Sequence, residues 1–119
     1  MNQFPRISTA LAAALLCTAS FAHGKLEMSI PSNGATLSAA PAELKFQFSE
    51  PVEAAVSTVK LIGPGDKETA LDKPHAAEGD GKTLIVNVPK LDAGAYRARW
   101  ATSGHDGHRV KGEISFTVK

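Results

Sequence analysis

Apolar and polar residues alternate in six short runs along the chain. The runs cover residues 26–30, 44–48, 59–61, 84–88, 96–100 and 114–118. In a β-strand, alternation of period two turns one apolar face toward a core and one polar face toward solvent. The pattern therefore predicts six or seven short strands, and no stretch of helical periodicity competes with it.

Turn-forming residues separate these runs. Clusters of Gly, Pro, Asn and Asp stand at 31–34, 63–66, 79–81 and 92–94. Short alternating strands with such turn signals are typical of an antiparallel β-sandwich of the immunoglobulin-like type. We therefore expect an all-β domain of about seven strands.

Most large apolar side chains are assigned to the core of this sandwich, because inward strand positions fill it. Glu50 and Glu53, close to a proline, are expected to be solvated turn residues. These assignments leave few aromatic side chains for a binding surface. The residues expected in the core are Phe46, Phe48, Tyr96, Trp100 and Phe116, with Met28 from the first strand.

The first 22 residues have the pattern of a removable secretion signal. Arg6 precedes an apolar run at 10–17, and the segment closes with Ser20-Phe21-Ala22, a small-x-small cleavage pattern. The run is shorter than the roughly 20 residues that span a bilayer. A buried N-terminal helix would not account for the cleavage pattern. We therefore expect residues 1–22 to be removed on export and residues 23–119 to form one soluble domain.

Composition limits the functions of the exported domain. The chain has 13 Lys plus Arg and 12 Asp plus Glu, and its single cysteine, Cys17, lies in the signal. A nearly neutral domain lacks the basic surface typical of proteins that bind nucleic acid or anionic lipid. Without cysteine, the domain has no disulfide and no thiolate that could act as a nucleophile or soft metal ligand.

Removal of the signal would make His23 the first residue of the domain. Its α-amine, with a pKa of about 8, and its imidazole could then chelate one metal ion together. Amine and imidazole nitrogens suit Cu(II) in a tetragonal site. Cleavage would therefore create a metal site that the precursor lacks.

A second group of candidate ligands lies in the segment 104–108 (GHDGH). If the segment is extended, Asp106 and His108 point to the same side and would complete an N₃O set around Cu(II). His105 would point elsewhere unless the backbone bends, and His75 is expected on the surface of a loop. The alternative is a polar loop with solvated histidines and an Asp106 that binds backbone amides, because such short patterns occur often by chance.

Several longer motifs are spread along nearly the whole domain. Residues 31–35 (PSNGA) match P-x-x-G/D-A, and residues 44–52 (LKFQFSEPV) are close to L-x-L-x-F-S-E-P-V. Residues 91–100 (LDAGAYRARW) and 106–116 (DGHRVKGEISF) complete the set, the last being close to D-G-H-x-V-x-G-x-x-x-F. Their order and spacing, together with the N-terminal His23, resemble the CopC family of periplasmic copper-binding proteins.

The resemblance implies a Greek-key β-sandwich or barrel that binds Cu(II) through His23, Asp106 and His108. It also implies a periplasmic protein of copper homeostasis or resistance, which buffers copper or delivers it and is not an enzyme. The family is often encoded near, or fused to, a membrane copper transporter. This chain contains no such fusion, so we expect a separate inner-membrane transporter as partner. We also expect the domain to be a monomer.

Several features depart from the family pattern. Arg109 stands where a proline often follows the family's histidine, and His105 stands where a small residue is usual. Many members have a methionine-rich stretch, whereas this domain has Met28 alone, so a thioether Cu(I) site is not expected. Lys25 at the third position also excludes an amino-terminal motif with histidine at that place.

Two other functions fit parts of the sequence. An N-terminal histidine with a second histidine also resembles the copper site of oxidative polysaccharide-cleaving enzymes, but Asp106 would occupy a coordination position there. An immunoglobulin-like interaction module with incidental histidines would bind its partner through a sheet edge. Copper-dependent oxidation of sugars would identify the enzyme, and a copper titration separates the interaction module from a copper protein.

Overall fold

The computed structural model describes residues 25–119 as two packed β-sheets. Two short 3-10 helices, Ala54–Val56 and Pro64–Asp66, lie between strands. No helix in this part of the chain is long and apolar enough to span a membrane. The strands are β1 (Leu26–Ile30), β2 (Ala35–Leu37), β3 (Glu43–Phe48), β4 (Thr58–Ile62), β5 (Glu68–Thr69), β6 (His75–Ala76), β7 (Thr83–Asn87), β8 (Gly94–Ser103) and β9 (Arg109–Val118).

The six alternating runs of the sequence coincide with the six longest of these strands. The other three strands, β2, β5 and β6, have two or three residues each, too few for alternation to reveal them. The predicted all-β sandwich of the immunoglobulin-like type is confirmed, with nine strands in the described residues instead of about seven.

The chain crosses repeatedly between the two sheets. One sheet has the order β1-β3-β7-β6, and the other has the order β2-β9-β8-β4-β5. Neighbouring strands are antiparallel except for β2 and β9, which are parallel. Connections that pass from sheet to sheet are those of a Greek-key sandwich. They leave β8 and β9 as one long hairpin, whose turn extends beyond the sheet.

The core lies between the facing sides of the sheets, where the five aromatic residues predicted to be inside are all buried. Phe46 and Phe48 come from the four-stranded sheet, and Tyr96, Trp100 and Phe116 come from the five-stranded sheet. The rings of Phe48 and Trp100 meet edge to face across the interface, with centroids 5.1 Å apart. Such aromatic contacts add to the stabilisation that burial of the rings provides.

The first strand does not bury its apolar residues as the alternation predicts. The pairing of β1 with β3 shifts between Leu26 and Met28, which is the signature of a β-bulge. A shift of one residue exchanges the two faces of a strand, so Ser29 is buried while Met28 and Ile30 are 51% and 53% exposed. The Ser29 hydroxyl is satisfied by the carbonyl of Pro31 at 2.8 Å. The prediction that Met28 belongs to the core is therefore wrong.

Substitution of Gly112 tests how tightly this core is packed. Gly112 lies opposite Trp100 in the hairpin, and a Cβ atom there would lie 2.6 Å from Cζ2 of the indole. We expect Gly112→Ala to lower the free energy of unfolding by about 1–3 kcal/mol, because overpacking forces the ring to move. Urea denaturation measures the change, with Lys111→Ala as the exposed neighbouring control. Equal, small effects of the two substitutions would contradict the packing argument.

Candidate metal centre

The hairpin turn at residues 104–108 carries two of the three predicted ligands. β8 and β9 pair without interruption up to Ser103 and Arg109, and the turn connects them. The amide of Gly107 donates to the carbonyl of Gly104 at 3.0 Å, and the amide of Gly104 donates to the carbonyl of His108 at 3.3 Å. Gly107 adopts a φ of +81°, a left-handed conformation that glycine reaches without strain. The segment is thus a tight turn, whereas the prediction assumed that it is extended.

Asp106 and His108 nevertheless converge. Oδ1 of Asp106 accepts the backbone amide of His108 at 3.0 Å, and Oδ2 lies 3.0 Å from Nδ1 of the His108 ring. The backbone contact is the local bond that makes aspartate favourable in turns. One carboxylate oxygen therefore shapes the turn while the other lies beside the imidazole. Both side chains are exposed, so a metal ion from solution could reach them.

The spacing of these two donor atoms suits a metal ion. Neighbouring ligands of a tetragonal centre lie about 2.8 Å apart when the bonds are about 2.0 Å long. The carboxylate oxygen and ring nitrogen, at 3.0 Å, are already close to that separation. A cation bound by both atoms would take the place of the hydrogen bond between them.

The described residues supply a pair of ligands here and not a complete set. Within residues 25–119, no three His, Cys, Asp or Glu side chains are grouped so that they could hold a metal ion. The third predicted ligand, His23, lies outside the described residues. A third side-chain ligand of these types for Asp106 and His108 would come from outside this range.

Lys25, the first described residue, is connected to the turn by backbone contacts of the segment 49–52. The amide of Lys25 donates to the hydroxyl of Ser49 at 3.0 Å, and the amide of Ser49 donates to the carbonyl of Lys25 at 2.9 Å. Three residues further along, Val52 forms an isolated antiparallel bridge with Gly104, the first residue of the turn. Lys25 is therefore connected to the turn through the segment 49–52.

The other two histidines lie apart from this pair of ligands. Nδ1 of His105 contacts Oε1 of Glu53 at 2.6 Å. Glu53 is exposed, as expected, but it has a specific partner that sequence reasoning missed. His75 is exposed on the surface, as predicted, although it lies in the short strand β6 and not in a loop.

Comparison with known proteins gives consistent matches over the described domain. The family model of the CopC domain matches residues 26–119. Copper resistance protein C of Xanthomonas campestris pv. juglandis is 38% identical over 128 aligned positions that cover the whole of both chains. Copper transport protein CutJ of Bacillus subtilis is 32% identical over 100 positions, which cover 83% of this chain and 18% of that protein.

Solved structures show the same architecture. The crystal structure of CopC from Methylosinus trichosporium OB3b superposes with a TM-score of 0.77 at 27% identity, and the match covers 82% of this chain and 94% of that one. The crystal structure of PcoC, a methionine-rich copper resistance protein from Escherichia coli, gives a TM-score of 0.71 at 29% identity, covering 82% and 100%.

Proposed function

The chain belongs to the CopC family, and from this premise we propose that its exported domain binds one Cu(II) ion and acts in copper homeostasis. The observation that carries the proposal is the convergence of Asp106 and His108, whose oxygen and nitrogen donors lie 3.0 Å apart. The ligands in this proposal are the α-amine and imidazole of His23, the carboxylate of Asp106 and the imidazole of His108.

The position of Lys25 supports the inclusion of His23. Lys25 is hydrogen-bonded to Ser49, and Val52, three residues further along, is bridged to Gly104 at the start of the turn. His23 precedes Lys25 by two residues, which span at most about 7 Å of extended chain, so we propose that it reaches the turn. The chelate would then add two nitrogens to the one nitrogen and one oxygen that the turn offers.

The donor set favours Cu(II) over other available divalent ions. Nitrogen and oxygen ligands in a tetragonal arrangement suit Cu(II), which also binds most tightly in the usual affinity order of divalent metals. Met28 is the one methionine of the domain, and it lies in β1, in the other sheet from the hairpin. This composition favours the cupric ion over a thioether-bound Cu(I).

The setting of the proposed function is the periplasm, reached through the signal at residues 1–22. The relatives named for copper resistance and copper transport support a role in buffering copper or delivering it. We propose a membrane copper transporter as the receiving partner. CutJ supports this choice, because a protein named for copper transport contains a segment similar to this chain within a much longer sequence.

Competition between metals tests the proposal. Protein purified after export, and shown by mass spectrometry to begin at His23, is exposed to equal Cu(II) and Zn(II) and its bound metal is measured. We expect close to one copper per chain and little zinc, because the nitrogen-rich donor set favours Cu(II). A protein that retains mostly zinc, or neither metal, would contradict the proposed function.

A further inference from the structure

The backbone of Glu53 is hydrogen-bonded to the end of β8, next to the hairpin turn. Its amide donates to the carbonyl of Ser103, the last residue of β8, at 2.9 Å. Its carbonyl accepts the hydroxyl of Ser57 at 2.7 Å, and that hydroxyl lies 2.6 Å from the hydroxyl of Thr102 in β8. Ser57 and Thr102 are buried, so water competes little with these bonds. The amide of Glu53 is thus bonded directly to β8, and its carbonyl is connected to β8 through the hydroxyl groups of Ser57 and Thr102.

The side chain of Glu53 extends this attachment to the exposed turn. Its carboxylate lies 2.6 Å from Nδ1 of His105, the residue immediately before the candidate ligand Asp106. The backbone bridge between Val52 and Gly104 lies directly beside this contact. The carboxylate contacts His105, one residue closer to the tip of the turn than Gly104, which the backbone bridge reaches.

We propose that Glu53 and His105 are a positioning pair, which holds the backbone next to Asp106 so that the carboxylate of Asp106 and the ring of His108 stay aligned for the metal. The consequence for copper rests on the proposed function, whereas the effect on the turn does not. His105 acts here through its neighbour Asp106, since its Nδ1 faces Glu53 and the ligands of the proposed function are His23, Asp106 and His108. The pair also gives a physical role to the histidine at 105.

The size of the effect is limited by exposure. The two side chains are 66% and 48% exposed, and ion pairs of this kind contribute modestly to stability because water and salt screen them. A tether of this strength would change an affinity by about two- to fivefold when it is lost. The turn itself should persist, since its backbone bonds do not involve either side chain.

Four variants of the exported protein test the pair: Glu53→Ala, His105→Ala, the double variant and Glu53→Gln. In metal-free protein, ¹⁵N relaxation and amide exchange at residues 106–109 measure the mobility of the turn. We expect both alanine variants to raise that mobility, and Glu53→Gln to retain parent behaviour because its amide oxygen still accepts from the imidazole. His75→Ala is the matched control, a histidine in the other sheet.

Copper titration and electron paramagnetic resonance give the second readout. We expect each alanine variant to bind Cu(II) about two- to fivefold more weakly and to show more than one cupric species. The double variant should be no weaker than either single variant, because one interaction is lost in all three. The Glu53→Gln variant should stay within about twofold of the parent.

Unchanged mobility of the turn in both alanine variants would overturn the positioning pair, as would additive losses of affinity in the double variant. A parent protein that binds no copper would overturn the proposed function instead. The relaxation measurements on metal-free protein still decide the role of the pair in that case.

Discussion

Acetylation of the α-amine of His23 is expected to lower the Cu(II) affinity of the exported protein by about 100-fold or more, equivalent to roughly 2.7 kcal/mol of binding free energy. Acetylation removes the basic lone pair of the amine and so breaks the proposed chelate with the imidazole. Because the α-amine has a pKa of about 8 and lysine side chains have one of about 10.4, mild acylation near neutral pH selects the terminus.

Copper itself provides the control for this experiment. Protein that is loaded with Cu(II) before acylation should be protected at the terminus, because the metal holds the lone pair that would attack the reagent. After removal of copper and excess reagent, this sample should bind Cu(II) like the untreated protein. An acetylated terminus with undiminished affinity would show that the amine is not a ligand.

Replacement of His108 by alanine is expected to have an effect of similar size. We expect His108→Ala to weaken Cu(II) binding by about 100-fold, or roughly 2.7 kcal/mol, because it removes one nitrogen ligand from the turn. His108 is exposed and lies outside the core, so the free energy of unfolding should change by less than about 0.5 kcal/mol. Competition titration with a chelator of known affinity measures the binding.

His75→Ala is the matched control, since it removes an exposed histidine from the other sheet. It should bind copper like the parent. Asp106→Asn gives an intermediate case, because the amide oxygen can still accept the His108 amide while the negative charge is lost. Equal affinities of the His108 and His75 variants would contradict the ligand role of the turn.

The architecture could be predicted from the sequence because its strands expose one face and bury the other. In β3 and β8, where one face is buried and the other faces solvent, alternation identified the strand and the inward residues. In β1 the bulge after Leu26 exchanged the faces, so the same rule placed Met28 on the wrong side. A bulge depends on pairing with β3, which alternation within one strand does not report.

The candidate site shows the same difference between local and distant contacts. Asp106 and His108 are two residues apart, so their pairing could be predicted locally, although the structure achieves it with a turn and not with the extended segment that was expected. The contact between Glu53 and His105 joins residues far apart in the sequence, and it depends on the bridge between Val52 and Gly104. No local pattern predicts that bridge, so the contact of His105 with Glu53 could be identified only in the folded chain.

The proposed site would allow a nearly neutral domain to be selective for a metal. The chain has 13 basic and 12 acidic side chains, which produce little net attraction for cations in general. Selectivity would instead come from a few donors at defined spacing, brought together by a hairpin turn and the start of the domain. Such a site would be assembled from two distant parts of the sequence, and export would complete it.

A crystal structure of the exported protein loaded with Cu(II) tests this coordination most directly, with anomalous scattering to locate the metal. We predict a single copper ion bonded to the α-amine and ring of His23, the carboxylate of Asp106 and the ring of His108. Copper bound instead at His75, or between His105 and Glu53, with the α-amine of His23 remote from it, would contradict the account.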